Sequence, residues 1–265
     1  MGGGKRRLIE QIDPCLPKKI NGYFEPFLGG GSMFFYLKQK YNPKFCILSD
    51  INRDLIETFK VVRDDPKKLM NFMRHLSKKN SKDFFYEIRK KFNKNKISGI
   101  KRCAVFIYLN KTCFNGLWRV NSKGEFNVPF GGRKNPEIFD EKNIFLASKL
   151  LQGVIIKHQY YREILDLVGK KDFVYLDPCY DPLKRTSFAN YCSKRFCEKD
   201  RIELASFMGA LRSRGAKVIL SNNDLPIVRE IYATFEIKEV SASRSINSDP
   251  LGRGKIKELV ITNYR

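Results

Sequence analysis

Tyr23-Phe24-Glu25-Pro26-Phe27-Leu28-Gly29-Gly30-Gly31-Ser32 reads as a strand that runs into a glycine turn and out into a helix from about Met33. Aromatic residues favour the strand, and glycine permits the turn. Such a turn lets the backbone approach a ligand closely and aims helix N–H groups at it. A dinucleotide fingerprint would need a third glycine at position 34, where Phe34 stands. A phosphate loop is also missing, because Lys5 is followed by Arg6 rather than Ser or Thr. What remains is a Phe-x-Gly-x-Gly turn. About twenty residues further on, Asp50 closes the next apolar run in Ser49-Asp50-Ile51-Asn52. A carboxylate there can accept hydrogen bonds from both hydroxyls of a ribose. The glycines alone would fit any flexible turn. Joined to a correctly spaced acid, they point to a nucleoside-type cofactor.

Outward from this turn, short apolar runs predict strands over residues 23–27, 45–49, 154–158, 173–177, 217–221, 235–240 and 259–262. Helical periodicity predicts helices over 6–12, 53–62, 66–76, 82–92, 100–111, 199–214 and 225–232. Strands and helices alternate at both ends of the chain, which implies an α/β class with helices on both faces of a sheet. Residues 53–140 differ, being mostly helical and charged and ending in a Gly/Asn/Pro-punctuated stretch expected to form a β-hairpin. They read as an insertion, with 1–52 and 141–265 forming the sheet domain.

Composition narrows the chemistry. With 51 Lys and Arg against 28 Asp and Glu, the 265-residue chain carries a formal charge of +23, a field that draws polyanions. A lysine-rich proteome would yield the same excess, so charge alone only favours nucleic acid. The seven cysteines form no CxxC pair, and His75 and His158 are the only histidines. That argues against a disulfide framework and leaves no metal ligands, so no metal cofactor is expected. No apolar run is long enough to span a membrane, and a reducing cytoplasm is the simplest setting.

The sharpest motif is Val174-Tyr175-Leu176-Asp177-Pro178-Cys179-Tyr180. A buried-type strand ends in a carboxylate, a proline and, one residue later, an aromatic ring. Open α/β sheets place their ligands at such strand ends. An exocyclic base amine is a poor nucleophile because its lone pair is delocalised into the ring. The Asp177 carboxylate and the Pro178 carbonyl can accept its two N–H bonds and help to localise that pair. Proline presets the turn, so the acceptors need not reorganise. Tyr180 can stack on a base taken out of a duplex. An ordinary Asp-Pro turn would look similar locally. Its place at a strand end, downstream of the glycine turn, favours a site.

Several motifs in order carry a family resemblance: Gly3-Gly4-Lys5, Glu25 to Ser32, Asp50-Ile51-Asn52 and Phe114-Asn115-Gly116-Leu117-Trp118-Arg119. Gly124 to Gly131, Asp177-Pro178-x-Tyr180, Ser221-Asn222-Asn223-Asp224 and Arg244-Ser245-Ile246 continue it. Over nearly its whole length the chain resembles the Dam-type DNA adenine methyltransferases. The resemblance implies a Rossmann-like methyltransferase sheet with an inserted, mainly helical DNA-recognition domain. It implies methyl transfer from S-adenosylmethionine to the N6 amine of a flipped adenine in a GATC-like site of double-stranded DNA. Lys5, Phe27, Gly29, Gly31, Asp50 and Asp177 would contact the cofactor, and Asp177, Pro178 and Tyr180 would handle the adenine. Phe114, Asn115, Leu117, Arg119 and Pro129 would meet the DNA, with Arg119 suited to a bidentate pair with guanine. The family's association with restriction leaves room for a cognate endonuclease acting on the same site.

Three other readings stay open at this level. Pro178-Cys179 resembles the thiolate pair of cytosine carbon-5 methyltransferases, although there the recognition region follows the pair. A basic binding protein without activity would have no need of Asp177 and Tyr180. Methylation of an RNA or protein amine shares the same acceptor logic.

Overall fold

The computed structural model describes residues 3–133, 136–178, 198–243 and 255–265. These residues group into two compact units. Of the described residues, those of 3–51, 153–178, 198–243 and 255–265 form the first, and those of 52–133 and 136–152 form the second.

The first unit is a seven-stranded sheet. Its strands are β1 (Gly22–Glu25), β2 (Phe45–Asp50), β3 (Ile155–His158), β4 (Phe173–Leu176), β5 (Lys217–Asn223), β6 (Glu236–Ser243) and β7 (Lys255–Thr262). The order is β3-β2-β1-β4-β5-β7-β6. The first five strands are parallel, and β7 enters antiparallel between β5 and β6. This is the doubly wound, Rossmann-like arrangement, in which the chain leaves β1 in one direction and later returns to its other side. All seven predicted strands are present. β1 stops before Pro26, which cannot donate to a ladder.

Four helices belong to this unit among the described residues: α1 (Gly3–Ile12), α2 (Ser32–Lys40), α8 (Glu198–Ser213) and α9 (Pro226–Ile231). Leu204, Phe207, Met208 and Leu211 of α8 pack with Phe24, Val174, Leu176, Val218 and Leu220 of the strands in one core cluster. The alternate strand residues Tyr23, Cys46, Leu48 and Ile219 are buried as well, so the sheet is covered on both faces. Between β3 and β4 the chain makes only a 3₁₀ segment, Tyr161–Leu167, where no element was predicted.

Buried Asp172 ties the sheet together just before β4. Its Oδ1 accepts from Asn21 Nδ2 and from Gly22 N, each at 2.9 Å, and its Oδ2 accepts from Gly169 N at 2.9 Å. The carboxylate thereby clamps the start of β1 to that of β4. Asp172→Ala should lower unfolding free energy by about 2 kcal/mol in urea titration, since buried N–H groups lose a charged acceptor. An unchanged midpoint would show that water replaces the carboxylate fully.

The second unit is mainly helical, with α3 (Arg53–Asp64), α4 (Pro66–Lys78), α5 (Lys82–Asn93), α6 (Gly99–Thr112) and α7 (Glu141–Leu151). Asn52 and Ser81 cap α3 and α5 by accepting from Leu55 N and Phe84 N. Arg102 of α6 grips Asp54 of α3 through two nitrogens, at 2.5 and 2.9 Å, and its guanidinium lies 4.0 Å from the centre of the Phe92 ring. Periodicity predicts no helix at α7, and the sequence division places residues 141–152 in the sheet domain. Ser148 Oγ and Gln152 Nε2 of this stretch donate to the Arg63 carbonyl of α3, at 3.1 and 2.9 Å, which groups it with the helices.

Candidate active site

The sheet edge formed by the carboxyl ends of β1, β2 and β4 gathers most of the predicted cofactor residues. Leu28 N donates to Ser49 O at 3.0 Å, which lays the turn after β1 against the end of β2. Gly29 and Gly31 adopt left-handed φ values of 46° and 66°, and Gly31 is the N-cap of α2. A Cβ built on Gly29 meets no atom within 4 Å, so the turn faces open space. Gly29 N donates to Asp50 Oδ2 at 3.1 Å. Asp50 is half-buried, so its carboxylate bonds the turn and still borders solvent. Phe27 stacks on Tyr161 with centroids 5.3 Å apart and planes 28° apart, which holds the entry to the turn.

The donor set suits the nucleoside part of S-adenosylmethionine. A half-exposed carboxylate at the end of β2 can accept ribose hydroxyls, and a glycine turn with open space beside it admits a bulky ligand. Among the described residues no group of three or more His, Cys, Asp or Glu is placed to hold a metal ion.

Asp177 follows directly on β4 and is half-buried, while Pro178 is buried. Strand β4 lies beside β1, with Phe24 opposite Val174, and beside β5, with Leu176 opposite Leu220. Asp177 thus leaves the sheet at its topological switch point, between the glycine turn and the end of β5. Lys5 falls in α1, and its side chain lies outside the described residues. So do Cys179, Tyr180 and the segment Arg244-Ser245-Ile246.

Beneath this edge sits polar chemistry that sequence reading did not single out. Tyr23 Oη donates to buried Glu25 Oε2 at 2.7 Å. The Tyr175 hydroxyl lies 2.9 Å from Ser221 Oγ, also buried. Burial pushes both phenols well above their usual range, and the Glu25 charge adds to the effect at Tyr23. Both phenols therefore stay protonated. The available signal was Tyr23 and Glu25 at i and i+2, one face of a strand, where an apolar pair would be expected. His158 is exposed, and its Nε2 lies 3.0 Å from the Ile51 carbonyl oxygen, a structural rather than ligating role.

The five residues expected to meet the DNA lie on one loop of the second unit. The expected hairpin is an antiparallel loop pinned by isolated bridges, Cys113 with Phe130 and Val120 with Phe126. Its base is tight, because a Cβ on Gly131 would lie 2.6 Å from the Cys113 carbonyl oxygen. Asn93 of α5 pairs with the Phe126 backbone through both amide atoms at 3.0 Å, and Arg89 Nη1 donates to Val128 O at 2.9 Å. Trp118 stacks on Phe126 at 4.5 Å and packs on Phe106 at 4.2 Å. With this anchor inside, Phe114, Leu117, Arg119 and Pro129 are exposed and Asn115 is half-buried. Arg119 Nε donates to Asn127 Oδ1 at 2.8 Å, which steadies the guanidinium across the loop.

Comparison with known proteins bears on both units together. Residues 2–246 match the family described as D12 class N6 adenine-specific DNA methyltransferase. The chain is 45% identical over 279 residues to the type II methyltransferase M.MjaIII of Methanocaldococcus jannaschii, an alignment covering 99% of this chain and 96% of the relative. It is 37% identical over 268 residues to the type II methyltransferase M1.LlaDCHI of Lactococcus lactis subsp. cremoris, covering 99% and 93%. A DNA adenine methylase of Haemophilus influenzae is 33% identical over 263 residues, covering 97% and 90%.

Proposed function

The chain belongs to the D12 class N6 adenine-specific DNA methyltransferases, and from that premise we propose how it works. It methylates a flipped-out adenine at N6, within GATC or a related short palindrome. The sheet unit is catalytic, and the helical unit with its anchored loop reads the DNA. The setting is the cytoplasm, and the type II names of two relatives favour a cognate restriction endonuclease as functional partner. One observation carries this reading. The Asp50 carboxylate bonds the glycine turn at 3.1 Å, and Asp177-Pro178 leaves the neighbouring strand at the same edge of the sheet.

S-adenosylmethionine, when bound, supplies an electrophilic methyl group on a cationic sulfur. Lys5, Phe27, Gly29, Gly31 and Asp50 would hold it, with Asp177 at its border with the base. The Asp177 carboxylate and the Pro178 carbonyl accept the N–H bonds of the amine, orient its lone pair and stabilise the positive charge that grows on nitrogen. Tyr180 stacks on the extruded base. Sequencing DNA from cells that express the protein, with detection of modified bases, reports base, atom and site at once. Methylated cytosine, or no modified base at all, would reject the proposal.

Arg119 is the main direct reader, with Leu117 and Pro129 packing on thymine methyl groups. Arg119→Ala should cost about 1–2 kcal/mol of discrimination at one guanine-containing position while methylation at relaxed sites continues. A phosphate contact behaves otherwise, weakening every sequence alike and lowering the salt slope by about one unit. Modified-base sequencing of DNA from cells carrying the variant separates the two. Uniform loss with unchanged site preference places recognition elsewhere.

A further inference from the structure

At the amino-terminal edge of the parallel strands, opposite the proposed site, the first unit holds an open cleft of about 1240 Å³. Its floor is apolar, with Leu16, Ile20, Ile237 and Val260, and Tyr41 and Tyr264 line it too. Its rim is basic. Lys18, Lys19, Lys44, Lys171, Lys217 and Lys238 surround it, all exposed. None of the six has a carboxylate partner among the described residues. The one acid in the lining, Glu236, is paired with Arg265 at 2.8 Å.

A lysine-rich background does not explain this concentration. Lys and Arg make up seven of the nineteen lining residues, against 51 of 265 in the whole chain. Chain topology produces the cluster. Lys44 stands one residue before β2, Lys171 two before β4, and Lys217 opens β5, so strand starts on either side of β1 deliver their charges to one edge, with those of β4 and β5 next to each other. Lys217 Nζ lies 5.1 Å from the centre of the Tyr264 ring, whose hydroxyl donates to the Cys15 carbonyl at 2.7 Å. Lysines with no carboxylate partner among the described residues, set around a partly apolar floor, suit the phosphates of a nucleic-acid strand.

We infer that this cleft binds the phosphodiester backbone of a second nucleic-acid segment, apart from the one that carries the target adenine. The two edges of the sheet are separated by strands of four to seven residues, roughly 13–23 Å, so one straight duplex does not serve both. The protein would then hold two segments at once and pass between them without full release.

The test uses the intact protein and needs no methylation, so it stands apart from the proposed activity. Fluorescence anisotropy with a labelled 12-base-pair duplex lacking adenine, titrated over a range of salt, should resolve two binding phases in the wild type. Lys18→Glu with Lys19→Glu should weaken the second phase at least about tenfold and lower its salt slope by about two units. Lys199→Glu with Arg212→Glu on α8 makes the same change in net charge and should leave that phase intact. Repeating the titration with a single-stranded oligonucleotide tells which form the cleft takes, and either one supports the inference. A single phase in the wild type, equal effects of the two variants, or displacement by inorganic phosphate at matched phosphate concentration would overturn it.

Discussion

Asp177→Ala is expected to yield a folded protein that retains DNA yet transfers methyl groups roughly a thousandfold more slowly, the scale set by losing a preorganised charged partner at a reacting centre. The side chain sits beyond the last residue of β4 and is half-buried, so its removal takes no ladder hydrogen bond from the sheet. Under the proposed function, what it removes is the negative acceptor for the amine. The Pro178 carbonyl remains, but one neutral acceptor neither localises the lone pair as well nor offsets the growing charge. Asp177→Asn should be nearly as slow, because the amide is uncharged and can turn a donor toward a donor. Cys179→Ala should stay within a few-fold of wild type. Transfer of labelled methyl groups to duplex DNA, with circular dichroism as the control for folding, measures all three. A dead Cys179→Ala beside an active Asp177→Ala would mean thiolate attack on a ring carbon instead.

Asp50→Ala should weaken S-adenosylmethionine by about ten- to a hundredfold with the sheet intact, in keeping with roughly 1.5–3 kcal/mol for a hydrogen bond to a charged group. Two losses combine. Under the proposed function the ribose hydroxyls lose their acceptor, and Gly29 N loses the carboxylate that holds it at 3.1 Å, so the turn itself slackens. Asp50→Asn keeps one acceptor oxygen and should fall between the two. Direct binding by calorimetry reads the effect apart from catalysis. Wild-type affinity in Asp50→Ala would remove Asp50 from the cofactor site. If cofactor affinity fell while the thermal midpoint dropped by many degrees, the residue would be a fold element first.

Much of the candidate site was legible because its motifs are local. The Phe-x-Gly-x-Gly turn, the acid at the end of the next strand and the Asp-Pro corner each occupy a few consecutive residues. Left-handed φ values of 46° and 66° favour glycine, so the composition of the turn announces its shape. Strand positions were equally readable, since residues buried on both faces form continuous apolar runs. Helix α7 shows where this fails. Ile144-Phe145-Leu146-Ala147 breaks the periodicity, with Phe145 at 43% and Leu146 at 47% exposure, while only Ser148 and Leu151 of the helix are buried. Its one clear mark was Asp140, whose side chain accepts from Asn143 N.

From the sequence alone, then, follow the α/β class, the strands and the family resemblance with its order of motifs. All of these depend on residues near one another in the chain. Tertiary structure alone decided that β7 enters antiparallel between β5 and β6, because strand order is chosen by which apolar faces cover each other. It also decided that Tyr23 and Glu25 bury a hydrogen bond beneath the switch point, and that Trp118 turns inward so that Arg119 and Leu117 face out. The lysines at residues 18, 44, 171 and 217 become one basic rim only when parallel strands start side by side. Contacts between residues so far apart in the chain leave no periodic trace, since each partner's local sequence is compatible with many others.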